Sequence, residues 1–287
     1  LDQNVSVCTF PCFAADHGHP SVPGRWMTEQ MRLLLDGFHE LTQQEAGRTA
    51  GARTVVLSVE CPACEVFLQD LHLCDVRVIP PGHRTSRAEF VPLYHYLYHE
   101  FIVIQGGFGM GPEPYHMPIR NAYNLVIGQI PGAVLKGDGR LLNKDTMNWA
   151  PWEPQVGSND DAVQMLASTV ALRRGPGRDF LVYGRMLPPP RVSRIPIRVW
   201  EYGDRVHRIP AVFYAAWQAP DGRFGLVLAN WTTEAQAVVI DDERLGQRVR
   251  EHVSAERMAS CERTVEPDGL AITMPPLGCV LLEAVEE

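Results

Sequence analysis

Basic charge is scarce in this sequence. Asp and Glu number 34 against 26 Lys and Arg, few of the latter being Lys, and the formal net charge is -8 over 287 residues. No Lys/Arg-rich run supplies the basic face that a phosphate backbone requires, so nucleic acid is not an expected partner. Long apolar runs are missing too. Nothing approaches the roughly 20 residues of a membrane helix, and residues 1–20 lack the charged start and apolar centre of a signal peptide. No membrane association is expected. The Gly-x-Ser-x-Gly elbow of many serine hydrolases is absent. Gly106-Gly-Phe-Gly-Met-Gly111 has neither the Lys nor the strand-to-helix setting of a nucleotide loop, and no cofactor is expected.

Cysteine is present in an odd number, 7, which fits poorly with a fully disulfide-stapled secreted module. Most thiols are expected to be reduced, which tips the reading toward the cytoplasm while leaving localisation open. Cys61-Pro-Ala-Cys64 has redox or zinc spacing, and Cys8, Cys12, His17 and His19 offer further ligands. No second CxxC follows at finger spacing, so small thiols buried beside a strand end are the plainer reading and no metal site is assigned.

The chain is 45% hydrophobic, enough for one large domain or two ordinary ones with their own cores. Met27, Met31, Leu34, Leu35, Phe38 and Leu41 recur at three- and four-residue steps, predicting an amphipathic helix from Trp26 to Glu45. A strand over 54–60, a short helix within 65–73, a strand over 100–105 and a helix over 121–129 follow. Gly132-Ala-Val-Leu135 reads as a short strand. Ser158-Asn-Asp-Asp161 caps a helix that runs to Arg173-Arg174, with acids at its start and bases at its end. This alternation predicts βα units with a parallel sheet. After residue 178 the pattern becomes short strands, at 197–200, 211–217, 224–229, 237–240 and 280–283. Asp221-Gly222 is a hairpin signal between two of them. The expectation is α/β followed by an all-β antiparallel sandwich of roughly 100 residues, with the break near 177.

The run Thr54-Val-Val-Leu-Ser-Val-Glu60 delivers a carboxylate at the C-terminal end of an apolar strand, just before Pro62. In a parallel barrel those strand ends form the reaction face, which makes Glu60 the first catalytic candidate. Its plainer alternative is an exposed acid beside backbone amides. Asp2 stands at a similar juncture, yet the strand that should carry it is missing, so the chain is expected to be a C-terminal fragment. Asp75 and Arg77 follow the Glu60 strand and either orient a site or form an ordinary ion pair. Gln105 closes the next apolar run, whereas His99 and Glu100 precede it and so fall on the stability face of a barrel. His17 and His19, in the turn-like Asp16-His-Gly-His-Pro20, are candidates for contacting sugar hydroxyls. Trp26, Tyr94, Tyr98 and Tyr115 are candidates for a sugar-stacking platform or for plain core packing.

Several of these stretches carry a family resemblance. Trp217-Gln-Ala-Pro-Asp-Gly-Arg-Phe-Gly-Leu-Val-Leu-Ala-Asn-Trp231 and Met274-Pro-Pro-Leu-Gly-Cys-Val-Leu-Leu282 look like the C-terminal β domain of a glycoside hydrolase. Leu1-Asp2-Gln3, Asp16-His-Gly-His-Pro20, Glu60 and Tyr98-His-Glu100 resemble an uncharacterised family related to endo-α-N-acetylgalactosaminidase-type enzymes. The resemblance implies the second half of a (β/α)8 TIM barrel over 1–177 and a β-sandwich domain over 178–287. It also implies a retaining glycosidase with Asp2 as nucleophile and Glu60 as acid/base, His17, His19, Trp26, Asp75, Arg77 and Gln105 being the substrate-binding set. The expected partners are an oligosaccharide or glycoconjugate substrate and a missing barrel half, supplied by the same gene product or a partner subunit, because half a barrel leaves open sheet edges. The sandwich is expected to stabilise the barrel rather than bind substrate. Two rivals stand beside this reading: a catalytically inactive carbohydrate-binding or scaffolding protein, and a Cys/His zinc-site protein.

Overall fold

The computed structural model describes residues 13–16, 18–21, 24–49, 55–60, 63–76, 91–106, 117–133, 159–202, 205–246, 248–255 and 260–285. The chain divides into two compact units, Leu1–Arg77 with Phe101–Gly107, and Val78–Glu100 with Phe108–Glu287.

The first unit is α/β. Its long helix α1 spans Arg25–Arg48 and matches the helix expected over Trp26 to Glu45. Of the six apolar residues that define its stripe, Leu35 is fully buried, while Leu34 and Leu41 are exposed. Three short strands, β1 (Ser58–Val59), β2 (Leu73–Asp75) and β3 (Val103–Gln105), form a parallel sheet in the order β1-β2-β3. A 3-10 helix over Glu65–Asp70 bridges β1 and β2, where the sequence predicts a short helix. β1 is shorter than the expected strand over 54–60, and β2 was not foreseen. The sheet has two unlike faces. Val59, Cys74 and Ile104 are almost completely buried, whereas Ser58 and Leu73 are half-buried and Val103 is exposed.

The second unit is a three-layer stack. Helices α2 (Leu93–Tyr98), α3 (Met117–Val126), α4 (Asn159–Arg174) and α5 (Arg178–Leu181) precede the strand-rich region. α4 appears where the acid-start, base-end pattern predicts it; α2 and α5 have no signal that the sequence reading used. Gly132 and Ala133 lie outside regular structure, and the rest of the short strand expected there falls outside the described residues. The strands after residue 178 are β4 (Arg185–Met186), β5 (Val192–Ser193), β6 (Ile197–Tyr202), β7 (Arg205–Pro210), β8 (Val212–Gln218), β9 (Phe224–Asn230), β10 (Gln236–Ile240), β11 (Val249–Ser254), β12 (Glu262–Glu266), β13 (Gly269–Met274) and β14 (Cys279–Ala284). They pair as a five-stranded sheet, β11-β14-β9-β8-β4, a four-stranded sheet, β12-β13-β10-β5, and a separate β6-β7 hairpin. Every pairing in these sheets is antiparallel. The Asp221-Gly222 signal is the β8–β9 turn, with Gly222 at a φ of 93°.

Alternation along the central strands explains the layering, since side chains at i and i+2 share one face. Val212, Leu226, Leu228, Val280 and Leu282 point toward the four-stranded sheet and pack with Val238, Ile240, Ile272 and Met274. Phe213, Ala215, Trp217, Val227, Ala229 and Leu281 point the other way and pack with Ile119, Tyr123 and Leu125 of α3, Met165 and Leu172 of α4, and Phe180 of α5. The central strands β8, β9 and β14 of the five-stranded sheet are therefore buried on both faces and read as nearly continuous apolar runs.

Trp217 joins the layers. Its ring is fully buried, its Nε1–H donates to the Val126 carbonyl at 3.0 Å, and it meets the His99 imidazole edge-on at 4.7 Å between centroids. Gly128, at a φ of 80°, lies against both rings; a Cβ there would come within 2.5 Å of the Trp217 ring and 2.6 Å of His99 Nε2. Trp217→Ala is expected to destabilise this unit by about 3–5 kcal/mol, the range for removing a large buried aromatic. Urea unfolding followed by far-UV circular dichroism measures it, and a loss below about 1 kcal/mol would show that the joint is dispensable.

Candidate active site on the parallel sheet

The register of the small sheet sets out the candidate site. β1 and β2 pair Ser58 with Leu73 and Val59 with Cys74, and β2 and β3 pair Leu73 with Val103, Cys74 with Ile104 and Asp75 with Gln105. Glu60 directly follows Val59, the last paired residue of β1, just as Asp75 directly follows its partner Cys74. The three polar residues thus form a row of strand ends, with Asp75 and Gln105 paired level in the ladder and Glu60 directly after β1. By alternation Asp75 and Gln105 share a face with Leu73 and Val103, opposite the buried Cys74 and Ile104. The same three-residue pattern explains each end: Ser58-Val59-Glu60, Leu73-Cys74-Asp75 and Val103-Ile104-Gln105 each bury the middle residue and finish on a polar one.

Backbone hydrogen bonds tie the strands together at both ends. His72 N–H donates to Leu57 O at 3.0 Å, Val103 N–H to His72 O at 3.1 Å, and Val76 N–H to Gln105 O at 3.0 Å. The His72 ring joins in, its Nδ1 accepting from Leu57 N–H at 3.1 Å. Glu60 is half-buried, Asp75 is 5% exposed and Gln105 is half-buried. Asp75 is thus the most enclosed member of the row.

His19 and Trp26 are brought together. Their rings stack 4.2 Å apart at an interplanar angle of 12°, and both are half-buried. Asp2, His17, Arg77 and Tyr115 lie outside the described residues, as do Cys8, Cys12, Cys61 and the centre of the Gly106–Gly111 stretch. Among the described residues no three His, Cys, Asp or Glu side chains gather closely enough to hold a metal ion, and no helix is long and apolar enough to cross a membrane. Sequence reasoning picked out Glu60, Asp75 and Gln105 singly; their gathering at neighbouring strand ends needed the register, although the repeated three-residue pattern is its trace in the sequence.

Tyr94, Tyr98, His99 and Glu100 belong to the second unit. Tyr94 and Tyr98 pack edge-on at 4.9 Å within α2. His95 and His99, one helical turn apart, are both buried. Burial, with the nearby His99, lowers the His95 pKa from 6.5 to about 3, and burial followed by the Arg173 guanidinium lowers that of His99. The neutral His95 ring accepts at Nε2 from the Gln129 amide at 2.7 Å. Arg173 is itself buried, its pKa lowered by desolvation to about 10, and donates to Gly128 O at 2.9 Å and Leu181 O at 2.5 Å. Contacts of His99 with Gly184 O and Gly128 O, at 3.1 and 3.3 Å, complete a structural cluster. Glu100 is exposed and lines a surface cavity of about 380 Å³ with Tyr183, Arg185 and Gln218.

Among known proteins, residues 1–109 match the family described as Domain of unknown function (DUF6259). No curated protein matches the sequence. The solved structures to which the chain is similar include a GH51 arabinofuranosidase from Xanthomonas axonopodis pv. citri, at 13% identity and a TM-score of 0.36 over 82% of this chain and 59% of that one. A GH30 endoxylanase from Clostridium papyrosolvens is similar at 8% identity and a TM-score of 0.38, over 80% and 56%. A GH27 β-L-arabinopyranosidase from Geobacillus stearothermophilus follows at 9% and 0.35, over 83% and 52%. The chain therefore spans little more than half the length of these glycoside hydrolases. At such identities and TM-scores, function has to be argued from the residues themselves.

The buried histidines make stability depend on pH. A group whose folded pKa lies below its unfolded value must take up a proton on unfolding, so its contribution is intact above about pH 6.5 and is lost as the pH falls toward 3. The second unit is expected to lose about 2 kcal/mol between pH 7 and pH 5 from His95 alone. Urea titrations at the two pH values, on the protein and on His95→Leu, measure this. A stability that is equally pH-dependent in both would remove His95 as the cause.

Proposed function

We propose that this protein is a glycoside hydrolase that cleaves O-glycosidic bonds of an oligosaccharide or glycoconjugate with two carboxylates and retention of configuration, Glu60 acting as general acid/base. The observation that carries the reading is the gathering of polar residues where the parallel strands end: Asp75 and Gln105 closing β2 and β3, and Glu60 directly after β1. A protonated acid there releases the leaving oxygen and then, as the carboxylate, deprotonates the incoming water. Asp2 is the nucleophile that the family resemblance implies. His17, His19, Trp26, Asp75, Arg77 and Gln105 make up the proposed substrate-binding set, the stacked His19 and Trp26 rings offering one flat apolar surface.

In this reading residues 1–177 belong to the second half of a (β/α)8 barrel and 178–287 to the sandwich domain. Among the described residues, β1 and β3 are the outer strands of their sheet, and Phe101 and Val103 are exposed beside it. Further strands from the same gene product or a partner subunit would cover such edges.

A panel of chromogenic aryl glycosides tests the activity, with turnover of at least one expected. Glu60→Gln should then lower turnover by about 100- to 10,000-fold at an unchanged melting temperature. Equal turnover by the variant would remove Glu60 as acid/base. Sugar binding without turnover by the unaltered protein would instead mark a carbohydrate-binding or scaffolding protein, and stoichiometric zinc in elemental analysis would mark a Cys/His zinc protein.

A further inference from the structure

The geometry points to Asp75 as the carboxylate that works with Glu60. This rests on the two-carboxylate reading above and changes the partner within it. Val59 and Cys74 are paired on adjacent parallel strands, each is followed directly by one of the two acids, and such strands run about 4.8 Å apart. Retaining hydrolysis requires carboxyl groups about 5–5.5 Å apart. Two acids that each follow one member of a paired couple therefore start close together, with no long loop needed to bring them there. Both follow strands whose preceding residues, Val59 and Cys74, are buried to 2% and 0% exposure, so each backbone is anchored one residue before its acid. Asp75 is also held within the ladder itself, since it is paired in register with Gln105 and the next residue, Val76, donates to Gln105 O at 3.0 Å.

The chemistry balances with water as the second reactant. A carboxylate oxygen of Asp75 bonds to the anomeric carbon while the glycosidic C–O bond breaks, its electron pair leaving on the aglycone oxygen, which takes the proton of Glu60. Water then attacks the anomeric carbon, its proton passing to the Glu60 carboxylate as the ester bond to Asp75 breaks and the Asp75 carboxylate is freed. Gln105, level with Asp75 on the far side, offers an amide to a neighbouring sugar hydroxyl.

The test uses the full chain and the aryl glycoside that it turns over fastest. Asp75→Ala is expected to lose on the order of a thousandfold or more, within the range seen when a group at the centre of a catalytic set is removed. Azide is expected to restore turnover of Asp75→Ala, giving a glycosyl azide of inverted configuration. Asp75→Asn, with circular dichroism and a melting curve on each variant, guards against misfolding. Azide rescue of Asp2→Ala in place of Asp75→Ala would overturn the inference, as would near-normal turnover in Asp75→Asn. Loss without rescue, in either a folded or a misfolded variant, would make Asp75 structural and overturn it as well. If no glycoside is turned over at all, the glycosidase reading falls and this inference with it; turnover that ignores Asp75 sinks the inference alone.

Discussion

The second unit depends on a sheet whose central strands are buried on both faces, and Trp217 is where that constraint is tightest. A strand with one wet face can alternate polar and apolar residues, but β8, β9 and β14 have no wet face to offer. Every side chain there must be apolar or paired, and the indole N–H, the one polar atom that Trp217 brings in, is spent on the Val126 carbonyl. The helix layer is then fixed at a distance that leaves no room for a side chain at residue 128. Volume, hydrogen bonding and backbone conformation are decided together at one point, as close packing in protein interiors demands.

Around that point the structure buries ionisable groups and neutralises their cost. Arg173 is held in the interior with its guanidinium donating to the carbonyls of Gly128 and Leu181. The price falls on the neighbouring imidazoles, which stay neutral next to a buried cation. Both histidines have the surroundings of a packed core. At the opposite edge, Glu283 is nearly buried and its carboxyl is held below the usual range, burial being outweighed by Arg223 and His252. Arg223 also reaches Asp221 and Asp179, tying the β8–β9 turn to α5.

The small parallel sheet follows a different rule. With one face buried and the other open, its strands place apolar residues inward and let polar residues gather where the strands end. Strand ends free of the ladder's constraints are where a fold can vary side chains without losing its core, which is why chemistry collects there in parallel sheets. Asp75 and Gln105 stand level because neighbouring strands hold them in register.

Local pattern alone determined a good part of this protein. The three- and four-residue repeat marked α1, the acid-to-base charge order marked α4, and Asp-Gly between apolar runs marked the β8–β9 hairpin; each signal is complete within a few residues, so no distant contact is needed to read it. The strand-rich character after residue 178 was legible for the same reason. Strands such as β7, β11, β12 and β13 were not, because their residues are largely half-buried or exposed and carry little apolar contrast. α3 was misjudged at its start, since a helix buried on all sides has no polar face to show a period. Glu60, Asp75 and Gln105 could each be picked out as acids or amides at strand ends. That Asp75 and Gln105 stand level, and that Glu60 follows the partner of Cys74, was decided by hydrogen-bonded register between segments 15 and more residues apart, a relation that only the folded sheet expresses.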